Sequence, residues 1–381
     1  MKTTPLLLAG LILLLPGCPA APEADDDDTP APEVDPKLAN ALQAALDEMV
    51  DDAPALGLTA AIEFSDGAVW VGATGTTHPA QDGDSRPLEP GDLFNIASVT
   101  KSFTAGLVLN LVDDGLLALD DSFESQVPGG HPRGDDISLR QLLNHSAGVP
   151  EHTLTPGFQS NYTATWTDQE LLALVAESAL LNEPGEATAY SNTHYVMLSL
   201  AAEAAAGMSW REALAERVLT PLDLSDSTAP EPGAGWGAAV PTWMGESPFP
   251  VIMDPSGAGA AGCMVADADD VARWTRARFG GAFLSPQLTE EQIADPSPLG
   301  GPFFMGLGAL ILDDSNVALE YGHNGALNGY VGWSGYRPDI DASMGLLGNA
   351  WGAGNPPDYS YPTTLHLELW AVVDQHLSGR R

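Results

Sequence analysis

Apolar positions recur along the chain with two different periods, and the change of period organises it. From Pro36, the residues Leu38, Leu42, Leu46 and Val50 return at every fourth position, the spacing of one buried stripe on an amphipathic helix. Residues 58–64 and 68–74 follow as two strands joined by a Ser65-Asp66-Gly67 turn. Between about 138 and 290 the signals are mainly helical. Ser138-x-x-Gln141, Thr167-x-x-Glu170 and Ser209-x-x-Glu212 each read as a capping box ahead of an apolar run. Strand-like runs resume at 304–312, 317–321, 330–336 and 342–348, and a helix near 362–377 closes the chain. Strands at both ends of a helical middle predict an α+β fold. One antiparallel sheet is built from both termini (36–97 and 300–378) and covered by the terminal helices, with a mainly helical insertion at 98–299. The Gly/Pro-rich stretch from roughly 228 to 263 is long for a loop, so it rims a functional cleft or hides short elements.

One stretch carries candidate chemistry. Phe94 to Thr104 leads into an apolar run from 105 to 112, which reads as a buried helix, and it holds Ser98-x-x-Lys101 at the mouth of that helix. Residues three apart share a helix face, so the hydroxyl and the amine sit side by side. A serine is a poor nucleophile until a base takes its proton. A lysine becomes such a base when burial disfavours its charge. Only Lys2, Lys37 and Lys101 occur in the whole sequence, so the one lysine in the body of the fold lies beside a serine. The plain alternative is a snorkelling lysine near a helix end.

Composition narrows the partners. With 52 acidic and 14 basic residues the formal charge is -38, which argues against nucleic acid and against adsorption to anionic lipid. Asp267, Asp269 and Asp270 lack the loop glycine and closing glutamate of a calcium loop and fit a helix N-terminus better. The eight histidines show no ligand spacing, so neither a metal nor a cofactor is expected.

The first 17 residues read as a leader: Lys2 gives a basic start and 5–16 an apolar run too short to span a bilayer. It ends Leu15-Pro16-Gly17-Cys18, which resembles the lipobox of bacterial lipoproteins. The resemblance implies a lipidated Cys18, with the mature chain held at the cell envelope, facing the periplasm or the exterior. Residues 18–35 form an acidic Pro/Ala/Asp tether that cannot build a core. With Cys18 modified, Cys263 has no partner and no disulfide framework is expected.

Two further stretches complete a set. Tyr190-Ser191-Asn192 is a Tyr-x-Asn, and His323-Asn324-Gly325-Ala326 places a His-x-Gly at the edge of an expected strand. Taken singly, the first is a turn with a packed ring and the second a surface histidine. In order after Ser98-x-x-Lys101 they resemble the three motifs of the penicillin-recognising serine hydrolases. That superfamily includes class C β-lactamases, D-alanyl-D-alanine carboxypeptidases and related esterases, and a sister set of motifs marks class A enzymes. The run Leu142 to Pro150, Gly259-Ala260-Ala261-Gly262, and Gly329-Tyr330 also match, so the resemblance covers about 35–375.

The resemblance implies a β-lactamase/transpeptidase-like fold and an acyl-enzyme mechanism. Ser98 would be the nucleophile and Lys101 with Tyr190 the proton relay. Asn192 would touch the substrate amide, and the backbone N–H groups of Ser98 and Ala326 would form the oxyanion hole. Gly325 would let a substrate lie close to the strand. His323 would replace the usual lysine as a donor whose charge falls away near neutrality. His145 reads as ordering a loop after a helix. The expected activity is that of a secreted serine hydrolase on a D-alanyl peptide, ester or amide, with a small-molecule or peptidoglycan-derived substrate. A β-lactamase is the alternative reading. A silent wall-binding or sensory lipoprotein is the alternative of another class, and intact Ser98, Lys101 and Tyr190 speak against it. A Ser-His-Asp enzyme of the α/β type is disfavoured, because no Gly-x-Ser-x-Gly elbow is present.

Overall fold

The computed structural model describes residues 32–52, 55–80, 82–352 and 361–380. The expected leader, Cys18 and the tether as far as Ala31 lie outside them. In chain order the principal elements are α1 (Pro36–Asp52), β1 (Gly57–Glu63), β2 (Val69–Gly75), α2 (Thr100–Asp113), α3 (Asn192–Ala206) and α4 (Ala268–Phe279). There follow β3 (Ser297–Gly300), β4 (Phe303–Met305), β5 (Leu310–Leu312), β6 (Glu320–Leu327), β7 (Tyr330–Arg337), β8 (Ala342–Gly348) and α5 (Pro362–Gly379).

The eight strands form one antiparallel sheet in the order β2-β1-β8-β7-β6-β5-β4-β3, so both ends of the chain meet at the β1/β8 pair. Helices α1 and α5 bury one apolar layer against it: Leu38, Leu42, Leu46 and Met49 pack with Leu365, Leu369, Trp370 and Val373. Met49, rather than the expected Val50, ends the stripe. Each of these buried side chains contributes roughly 1.5–3 kcal/mol. On the other face, α4 lies against the sheet so closely that a Cβ on Gly345 of β8 would fall 2.4 Å from the Ala268 carbonyl oxygen. The sequence reading placed 268–279 and 297–299 in the helical insertion. The structure instead makes α4 the second cover of the sheet, and Ser297–Gly300 its last strand.

Local signals explain most of the remaining elements. All three capping boxes form, at Ser138, Thr167 and Ser209. The Asp267 side chain accepts from Asp270 N at 2.8 Å, capping α4 as a helix N-terminus does. Helix α2 is buried all round, with Phe103, Leu107, Val108, Leu109 and Leu111 at zero exposure, and it stops before Gly115 at φ +70°. The stretch from 228 to 263 hides short elements, including Trp243–Met244, Ser247–Pro248 and Pro255–Ala258.

Two expected strands differ in their bounds. Residues 304–312 are not one strand, because Gly308 at φ +66° leaves the extended region and separates β4 from β5. The 317–321 strand begins later and runs further, as Glu320–Leu327, so His323 lies inside it rather than at its edge.

Candidate active site

Ser98 sits in a single turn of 3₁₀ helix, Ala97–Val99, from which α2 continues. The turn is held under strain. Ala97 has φ +49°, a left-handed conformation costly for a residue with a Cβ. It is fixed by Asn95, whose Nδ2 donates to Gly262 O and Met264 O at 2.9 Å each and whose Oδ1 accepts from Ala97 N at 3.2 Å. Ser98 itself stays half-buried, reachable from a cavity of about 200 Å³ lined by Tyr162, Asn192, Met253, Ala326 and Leu327 among others.

Lys101 is fully buried. Its Nζ lies 3.1 Å from Ser98 Oγ, 2.7 Å from Asn192 Oδ1 and 2.7 Å from Ala261 O. Burial presses its pKa down from 10.5 to about 7, against the pull of the Glu151 carboxylate, which raises it. Around neutrality a large fraction is therefore uncharged. A neutral amine has two N–H donors, which Asn192 and Ala261 accept, leaving the lone pair for Ser98. That is the geometry of a general base.

Tyr190 precedes α3 on a loop that Ala189 N ties to the His145 carbonyl oxygen at 2.8 Å. The residue is 36% exposed, while its hydroxyl is enclosed and bonded to Ser98. Enclosure pushes the phenol above its ordinary pKa, and the Ser98 bond opposes this only in part. The Lys101 amine stands 4.9 Å from the ring centre, over its face. Tyr190 is thus a neutral phenol at rest, held on Ser98. His145, at φ +61°, packs 4.3 Å beneath the Tyr190 ring, and its Nδ1 accepts from Ser191 N at 3.3 Å, so it orders the loop as expected.

Asn192 opens α3. With its Oδ1 engaged by Lys101, it offers the cavity an N–H donor. A residue the sequence reading missed holds it there: Glu151 Oε2 accepts from Asn192 N at 2.5 Å, and Oε1 from Thr153 N at 2.9 Å. Glu151 is thus a carboxylate at the helix N-terminus, where the dipole favours it. Only its place directly after Gly148-Val149-Pro150 could have pointed to it.

The third stretch departs most from expectation. His323 is 2% exposed, and its backbone N donates to Ser334 Oγ at 3.0 Å. Its Nδ1 lies 2.6 Å from the Asn324 carbonyl oxygen, which can only accept, so the proton is on Nδ1 and Nε2 has no partner. Burial and the nearby Lys101 press its pKa to about 3. His323 is therefore a neutral inward ring, not a donor that charges near neutrality. Gly325 has a packing reason of its own: a Cβ there would sit 2.5 Å from Ile96 O and 3.0 Å from Ser98 N. The serine turn itself lies against β6, which brings Ala326 to the cavity wall. Among the described residues no cluster of three His, Cys, Asp or Glu side chains could hold a metal ion.

Comparison with known proteins bears on this arrangement directly. The family model described as Beta-lactamase matches residues 42–365. The chain belongs to the beta-lactamase family. It is a serine hydrolase of that superfamily and carries its α+β fold. Penicillin-binding protein 4 of Amycolatopsis lactamdurans is 30% identical over 309 residues, 75% of this chain and 79% of that protein. Penicillin-binding protein 4* of Bacillus subtilis is also 30% identical, but over 38% of this chain and only 32% of its own length. Among solved structures, the D-amino acid amidase of Ochrobactrum anthropi superposes with TM-score 0.77 at 25% identity, covering 91% of this beta-lactamase-family chain and 100% of the amidase. A D-stereospecific amidohydrolase from Streptomyces follows with TM-score 0.68 at 28% identity, covering 82% and 94%.

Proposed function

We propose that the protein hydrolyses D-aminoacyl amides and esters through an acyl-enzyme on Ser98. The observation that carries the chemistry is the Lys101 amine, buried to a pKa of about 7 and 3.1 Å from the Ser98 hydroxyl. In the first step Ser98 Oγ bonds to the substrate carbonyl carbon as its proton passes to Lys101 Nζ. The oxygen that becomes negative is met by the backbone N–H groups of Ser98 and Ala326, such donors being worth roughly 3–4 kcal/mol each. The bond to the leaving nitrogen or oxygen then breaks. That atom takes a proton from Tyr190, which recovers one from Lys101, and water releases the acyl group by the reverse sequence.

Charge supports the choice of substrate. Among the described residues no lysine or arginine lines the cavity, and His323, in the position of the superfamily's cation, is neutral. A substrate ending in a free carboxylate, such as a D-alanyl-D-alanine peptide or a β-lactam, would meet only neutral donors there, such as the Asn192 amide, and no cation. The amidase and amidohydrolase neighbours lend the D-configuration. The test compares D-phenylalanine amide, its L-enantiomer, a D-Ala-D-Ala peptide and nitrocefin side by side. The amide of D-configuration is expected to turn over fastest, and faster release from the peptide or from nitrocefin refutes the reading. The lipobox-like Leu15 to Cys18 supports a lipid-anchored, envelope-facing enzyme.

A further inference from the structure

Three segments remote in sequence meet on Asn328, in the turn between β6 and β7. Its Oδ1 accepts from the Tyr162 hydroxyl at 3.1 Å and from Met253 N at 3.3 Å, and its backbone oxygen accepts from Thr242 Oγ1 at 2.5 Å. A backbone N–H can only donate, so the oxygen of the amide must face Met253 and the orientation is settled by chemistry. Asn328 is 1% exposed and sits at φ +52°, while its Nδ2 has no partner. What the asparagine side chain adds at this left-handed position is one oxygen that takes two donors, while its own N–H group stays unpaired. The next residue leaves no slack: a Cβ on Gly329 would fall 2.0 Å from Thr242 Oγ1.

Tyr162, Met253 and Leu327, two of Asn328's partners and its chain neighbour, are walls of the cavity beside Ser98. At about 200 Å³ that cavity is smaller than the roughly 300–1,000 Å³ of ordinary ligand pockets. Tyr162 is braced from behind, with its ring edge-on to Phe158 at 5.9 Å and Phe158 stacked on Trp166 at 5.7 Å. We propose that Asn328 determines substrate size, by latching Tyr162 and the 242–253 segment onto the strand that carries Ala326 and so holding the cavity small. This rests on Ser98 being the acylated nucleophile but not on the D-aminoacyl substrate. Asn328 touches no reacting atom; it is a positioning residue.

The test uses the whole chain and p-nitrophenyl acetate, butyrate and phenylacetate, whose acyl groups grow in size. For Asn328→Ala the kcat/KM ratio of phenylacetate to acetate is expected to rise about tenfold, the scale set by fitting or excluding a small apolar group. Tyr162→Phe removes one of the bonds at constant ring shape and keeps the question open if the first variant fails to fold. Its ratio is expected to rise by a smaller factor. An equal fall on all three esters, or an unchanged ratio in both variants, overturns the proposal. If the wild type releases no p-nitrophenolate and a fluorophosphonate leaves Ser98 unlabelled, the nucleophile reading fails first and takes this inference with it.

Discussion

Lys101 Nζ lies 2.7 Å from the carbonyl oxygen of Ala261, a residue 160 positions further along the chain. With Asn192 Oδ1 at the same distance, that oxygen occupies the amine's hydrogens and directs its lone pair at Ser98. Only the neutral amine can accept the serine proton. From the pKa of about 7, kcat/KM is expected to rise with pH through neutrality and then level, in initial rates taken from pH 5 to 9. Lys101→Arg, which stays protonated, is expected to lose roughly 10²–10⁴-fold at every pH. A profile without that rise removes Lys101 as the base.

The same group makes stability depend on pH. Its folded pKa of about 7 lies below the 10.5 of an exposed lysine, so the unfolded chain binds more protons between those values. Stability should therefore climb as pH rises across that window. Lys101→Met removes this slope. Urea unfolding at pH 7 and pH 9 should show the wild type gaining about 2 kcal/mol relative to the variant, and parallel behaviour would contradict the buried charge.

Glu151→Gln keeps an acceptor for Asn192 N but removes the negative charge that raises the Lys101 pKa. The acidic limb of the rate profile is expected to move to lower pH. A limb that stays in place, or moves up, would show that the carboxylate does not act on the amine.

Gly325→Ala forces a Cβ to within 2.5 Å of the Ile96 carbonyl oxygen, so β6 must draw back from the serine turn. The cost is expected to be about 1–3 kcal/mol of stability and on the order of 10²-fold in kcat. Thermal melts and rates on one preparation separate the two. Wild-type kcat in a folded variant would mean that the contact has no part in catalysis.

Anchoring can be read without any substrate. The full-length protein expressed in bacteria is expected to partition into the detergent phase of Triton X-114 and to take up labelled palmitate, and Cys18→Ala to do neither. Equal partitioning of both forms excludes lipidation at that residue.

Local chemistry was legible in the sequence. The three-residue spacing of Ser98 and Lys101 fixes their contact whatever the tertiary fold, and the capping serines and threonines need only their own next turn. Long-range roles were not legible. Glu151 matters because Asn192 arrives beside it from 41 positions away, and Asn328 because Tyr162 and Met253 do. Nothing in their immediate neighbours encodes that. His323 misled because a polar ring in a strand is normally turned to water. Here β6 begins at Glu320 and carries the ring inward, a register that depends on pairing with β7.

Pairing of Leu58 with Gly348 joins two segments far apart along the chain into neighbouring strands. Within the sheet β1 has β2 on one side and β8 on the other, and the turn that bears Ser98 leans on β6. So long a separation makes assembly slow and late. Hydrolytic competence therefore depends on strands remote in sequence, and a fragment lacking β6 would leave the turn at Ser98 without the wall it packs on.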